Sequence, residues 1–207
     1  MDNHNKKEKY IVSKLLEMVG EFRQLFFQNN EKDVVPLRMQ LIGGFTIIDV
    51  LGSYWFEYLN KTGTPRERFF EFTEKFCLTP KNKIYAVSTL IKGATKERLY
   101  DLRSSLVHFY GLGKHKDFGI AANISKTHTS EVIQNMVIEF RKKVPNLIFI
   151  QPTELRDIIV EGTSLMFESM IENINKSHTN ENTKKAHIEG IERIYNKLFE
   201  EGAEGIA

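Results

Sequence analysis

Residues 97–111 read Glu-Arg-Leu-Tyr-Asp-Leu-Arg-Ser-Ser-Leu-Val-His-Phe-Tyr-Gly. They bring together a permanent cation (Arg103), an imidazole (His108), a carboxylate (Asp101), a hydroxyl (Ser104) and a phenol (Tyr110). Phosphoryl chemistry uses such a set. Histidine titrates near about pH 6.5, so it can accept the proton of a ribose 2′-hydroxyl. The planar fork of arginine can hold the charge that builds on a pentacoordinate phosphorus. Such a pair needs neither metal nor organic cofactor, and none is expected.

Helical geometry limits how these groups combine. At about 100° per residue, Arg103 and His108 stand about 140° apart around a helix axis. Asp101, Ser104, Ser105 and His108 share one stripe, while Arg103 and Tyr110 lie on the opposite side. One straight helix therefore does not close a site. Two copies packed across a two-fold axis would bring the arginine and histidine of each into one cleft, so a homodimer is expected.

Other chemistry-bearing residues point to structural roles. His108, His115 and His128 show no paired ligand spacing, and a metal site is not expected. His4, His178 and His187 fall in segments expected to be solvated. Gly111-Leu-Gly-Lys114 lacks the earlier glycine and the final hydroxyl residue of a phosphate loop and reads as a helix stop. Cys77, the single cysteine, sits among phenylalanines as a small buried hydrophobe. The aromatic run from Tyr54 to Tyr58 is assigned to the core rather than to base stacking. Lys81, Lys83, Lys92, Lys96 and Arg98 concentrate positive charge ahead of Arg103, as would suit a phosphate backbone.

The elements that must position Arg103 and His108 follow from apolar spacing. Helices are expected over residues 9–29, 36–60, 65–80 and 82–92, the second nearly continuous in apolar character and opened by Pro36. The motif helix starts after Thr95 as N-cap and runs to about Gly111. Residues 118–124 read as a strand, 131–140 fit either a helix or a strand, and 147–150 form a short extended piece before Pro152. Helical spacing returns over 152–175 and, after a polar linker at 177–184, through Ile188, Ile191, Ile194, Tyr195 and Leu198. The whole reads as one mainly α-helical domain over residues 1–207, with a small β insertion at 113–151.

Composition sets outer bounds. The 207 residues are 41% hydrophobic and 27% charged, which excludes disorder, and the net charge of +2 excludes a generally basic nucleic-acid coat. Any RNA contact must be local. The apolar window 41–59 contains Asp49 and Glu57, so it is read as a buried helix and not a membrane span. A polar N-terminus and a lone cysteine fit the cytoplasm.

Arg103 to His108, extended to Tyr110, resembles the R-x-x-x-x-H-x-Y form of the motif of the HEPN superfamily. The resemblance implies a dimeric helical bundle of the kind found in toxin–antitoxin, phage-defence and abortive-infection ribonucleases that act without metal. It implies His108 as general base, Arg103 as the cation on the phosphate, and Tyr110 as a substrate or regulatory contact. It also implies an antitoxin of nucleotidyltransferase type that places AMP on the tyrosine. After the arginine stands Ser104, where active members usually carry Asn, Asp or His. The alternative expectation is a non-catalytic HEPN-like module that binds RNA or protein.

Overall fold

The computed structural model describes residues 3–24, 36–109, 118–120, 130–177 and 180–204. Its axis is the most apolar helix of the chain, α2 (Leu37–Tyr58), with Pro36 as its N-cap residue. Leu41, Phe45, Ile48, Leu51, Trp55 and Phe56 of α2 are buried, as a helix covered on several sides requires. Around it pack α1 (Asn3–Gln24), α3 (Pro65–Phe72), α5 (Lys96–Phe109), α7 (Pro152–Ser177) and α8 (Glu181–Glu204). Each contributes one apolar stripe: Ile11 and Leu15 from α1, Leu99, Leu102 and Leu106 from α5, Ile158, Ile159 and Met166 from α7, Ile191 and Ile194 from α8. The mainly α-helical expectation is met, and the Tyr54–Tyr58 aromatics are core, with Trp55 edge-on to Phe76 at 5.0 Å.

Several boundaries differ from the sequence reading for local reasons. Thr64 and Glu67 form a reciprocal capping box at the start of α3, and Pro65 occupies its first turn. The helix does not continue regularly to Pro80: it widens into a π turn over Thr73–Cys77. Buried Asn82 anchors this region, its amide donating to the carbonyls of Phe76 (2.9 Å) and Ile158 (2.8 Å) while its oxygen caps the next helix at Tyr85 N–H. That helix, α4 (Lys83–Val87), is shorter than expected. Cys77 is buried, and desolvation pushes its thiol far above the ordinary range.

The ambiguous stretch 131–140 is helical, as α6 (Ser130–Lys143), and it connects two short parallel strands, β1 (Phe118–Ile120) and β2 (Ile148–Ile150). Parallel strands need such a crossover. The strand expected over 118–124 is described only to Ile120. Arg141 ties the unit to the bundle by donating to the carbonyls of Leu147, Thr89 and Leu90, and Phe149 N–H reaches Leu90 O at 3.2 Å.

Close helix approach depends on glycine at Gly52, where an added Cβ would lie 2.5 Å from the Arg68 carbonyl oxygen of α3. We predict that Gly52→Ala destabilises the fold by about 1–3 kcal/mol, measurable by chemical denaturation, because backbone cannot move aside cheaply. A second prediction concerns Glu154, half-buried in the first turn of α7. Burial raises its pKa, Asp157 adds to the rise, the Ser88 hydroxyl opposes it, and Oε2 has no partner among the described residues. The folded state thus holds this proton more tightly than the unfolded chain, and the group's contribution to stability falls as pH rises through its raised folded value. Glu154→Gln is expected to raise the melting temperature at pH 7, with the gain vanishing below the ordinary glutamate range.

Candidate functional site

Although α2 is mostly apolar, Asp49, Ser53 and Glu57 recur at intervals of four and so lie along one face. Cations from three other helices meet that face. Arg103 of α5 donates from Nε (3.0 Å) and Nη2 (2.7 Å) to Asp49 Oδ2. Arg68 of α3 and Lys197 of α8 both donate to Ser53 Oγ, at 3.2 and 2.7 Å. Lys197 also stands 4.0 Å from Glu57 Oε2, and Arg193 of α8 donates to the carbonyls of Glu57 (2.8 Å) and Tyr58 (2.9 Å).

The Arg103–Asp49 pair is half-buried, with 20% and 23% of the two side chains exposed. Desolvation raises the pKa of Asp49 more than the hydrogen bond and charge of Arg103 and the charge of Arg68 lower it. Asp49 Oδ1 is buried without a hydrogen-bond partner among the described residues. Beside the pair opens a cleft of about 340 Å³ lined by Asp49, Val50, Ser53, Tyr54, Pro65 and Arg68. Its walls come from α2 and α3, so the Gly52 contact and the capping box set its shape.

Arg103 therefore has a fixed position on the face that α5 turns toward α2. His108 is in the last turn of the same unbroken helix, about 7.5 Å of rise further on, but its side chain lies outside the described residues. Asp101 is exposed and Ser104 half-buried, both on α5, and Tyr110 lies outside the described residues. The structure thus places Arg103 with Asp49, and it does not describe Arg103 and His108 side chains together. Two of the basic residues before the motif serve other contacts: Lys96 pairs with Glu74 at 2.5 Å and Arg98 donates to Asn146 O at 2.8 Å. The cations near Arg103 come from α3 and α8 instead.

His187 is a correction. Expected in solvent, it is 5% exposed, with Nε2 2.9 Å from Glu8 Oε1 and Nδ1 2.8 Å from Tyr58 Oη. A carboxylate only accepts, so Nε2 donates to Glu8, and Nδ1 and the Tyr58 hydroxyl share the second hydrogen bond. The chain Glu8–His187–Tyr58 joins α1, α8 and α2 beside a second cavity of about 490 Å³. Its sequence signal was position: His187 precedes Ile191 by four and Ile194 by seven, on the buried stripe.

Among the described residues no group of three or more His, Cys, Asp or Glu side chains converges as a metal site, and no helix is long and apolar enough to cross a membrane. Comparison with known proteins returned no match to a family model, a curated protein or a solved structure.

The ion pair makes a separable prediction. Asp49→Ala is expected to destabilise by about 1–2 kcal/mol, less than for a fully buried pair because both groups retain some solvent. The double variant Asp49→Ala/Arg103→Met should recover most of that loss, since no half-buried cation is left without its counter-charge. Denaturation of the two single variants and the double variant gives the coupling.

Proposed function

We propose that this chain is a HEPN-like, metal-independent endoribonuclease of a toxin–antitoxin or phage-defence type, with its site completed across a homodimer. The observation that carries the reading is the fixed guanidinium: Asp49 holds Arg103 by two hydrogen bonds, on the same continuous helix as His108 and beside an open cleft. A cation positioned before substrate arrives loses little freedom on meeting a phosphate, which is how preorganised electrostatics lower a barrier.

In the reaction, His108 takes the proton of a ribose 2′-hydroxyl as that oxygen bonds to the adjacent phosphorus. Arg103 steadies the negative charge on the phosphorane. The bond to the 5′-oxygen breaks, that oxygen takes a proton from water, and the upstream strand ends in a 2′,3′-cyclic phosphate. Ser104 and Asp101, on the His108 stripe, would contact substrate or orient the imidazole. Tyr110 would be the residue through which an antitoxin of nucleotidyltransferase type acts.

A second reading, a non-catalytic module that binds RNA or protein, is favoured by the same ion pair. Arg103 and Asp49 join α5 to α2, a structural task that requires no chemistry, and Ser104 supplies neither charge nor amide.

The test is cleavage of total and transfer RNA in EDTA by wild type, His108→Ala and Arg103→Ala, compared at matched folding and oligomeric state. The ribonuclease reading expects cutting by wild type, a loss of about 10²–10⁴-fold in each variant, and cyclic phosphate ends. Absence of cutting by a dimeric wild type, with RNA still bound, would establish the binding module instead.

A further inference from the structure

Two positive side chains converge on one neutral oxygen. Arg68 and Lys197 each donate to Ser53 Oγ, and so stand within a few ångströms of each other. The hydroxyl accepts from both, while Lys197 also pairs with Glu57 at 4.0 Å and the charge of Arg68 acts on Asp49. The carboxylates of this face are shared among the cations: Asp49 accepts both hydrogen bonds of Arg103, and Glu57, 38% exposed, stands 4.0 Å from Lys197. Three cations, Arg68, Arg103 and Lys197, thus face the Asp49 and Glu57 carboxylates along one side of α2, in a protein whose net charge is only +2. This is a local excess beside an open cleft rather than a general basicity.

The chemistry of that cleft suits a phosphodiester. The Ser53 hydroxyl and the Arg68 fork line it, Lys197 reaches the same hydroxyl from α8, and these are the donors that phosphate oxygens take. The backbone contact at Gly52 seats α3 against α2 and so fixes where the Arg68 side chain starts. A volume of about 340 Å³ is in the range of small-ligand pockets. Ser53 follows Asp49 by one turn of α2, about 6 Å of rise, comparable with the separation of neighbouring phosphates in an RNA strand.

We propose that Ser53, Arg68 and Lys197 form a phosphate subsite that takes a backbone phosphate of an RNA strand, next to the phosphate held at Arg103. The choice of RNA as the source rests on the ribonuclease reading; the phosphate chemistry does not.

The probe is a 5′-hydroxyl, 2′-O-methyl oligoribonucleotide, which binds without being cut, followed by fluorescence anisotropy across a salt series. Inorganic phosphate is titrated in parallel by calorimetry. Lys197→Gln and Arg68→Gln are each expected to weaken oligonucleotide binding about 10-fold. Each should also flatten the slope of log K against log salt by about 0.7, the signature of one lost phosphate contact on a single strand. Lys197→Arg should restore both. A merely structural loss would lower the melting temperature without changing the salt slope. Wild-type binding with slopes unchanged in both variants, or no oligonucleotide binding at all, overturns the subsite. Capture of inorganic phosphate that depends on Lys197, with oligonucleotide binding unaffected, overturns its assignment to a strand. The two proposals separate cleanly: variant-sensitive binding without cleavage by wild type leaves the subsite standing and removes the ribonuclease, whereas cleavage with an unaltered salt slope does the reverse.

Discussion

The structure depends on how a helix buried on several sides accommodates a polar face. Asp49, Ser53 and Glu57 sit on α2, whose other faces are packed against the core, and charged or hydroxyl groups in that setting need partners. They obtain them from α3, α5 and α8, so the cations that satisfy α2 also decide where those helices lie. Arg193 extends the same pattern to the carbonyl end of the helix. Apolar burial drives the bundle together, and the polar face sets its register.

This arrangement explains why the candidate site lies where it does. Three of the helices around α2 deliver long basic side chains to it, Arg68 from α3, Arg103 from α5, and Lys197 and Arg193 from α8, while the hydrophobic stripes of those helices face the core. Arg103 is central because it has two roles at once. It neutralises Asp49, whose carboxyl is pushed up by burial, and it presents a guanidinium beside the cleft. A half-buried guanidinium held by two hydrogen bonds has little freedom to move, which is what the proposed charge-stabilising role requires. The β1–α6–β2 unit adds a further layer, held to the 89–90 segment by Arg141.

Much of the fold was legible in the sequence because its signals are local and periodic. The stripes of α1, α5, α7 and α8, the breaks around Pro65 and Gly93, and the two extended pieces all follow from spacing and turn residues. The π turn at Thr73–Cys77 and the parallel pairing of β1 with β2 were not legible, since one depends on packing around Asn82 and the other on contacts between distant segments. The site was half legible. Arg103 and His108 stand out by type, but Asp49 and Glu57 were read only as charges that exclude a membrane, although their spacing with Ser53 already marked a polar face. Arg68 and Lys197 carry no motif, and only the fold brings them together. The polarity of His187 suggests solvent, yet its place on an apolar stripe puts it in the core.

In the proposed function the Arg103 guanidinium, held by Asp49, is the group that meets the RNA phosphate. Nitrogen-15 NMR of the arginine Nε–H signals, recorded as an uncleavable 2′-O-methyl oligoribonucleotide is added, addresses it directly. A resolved Arg103 signal is expected in the free protein, shifting with oligonucleotide while its Asp49 contact weakens or re-forms. An Arg103 signal that stays unchanged while the oligonucleotide saturates the protein would contradict it, leaving Arg103 as a structural ion pair.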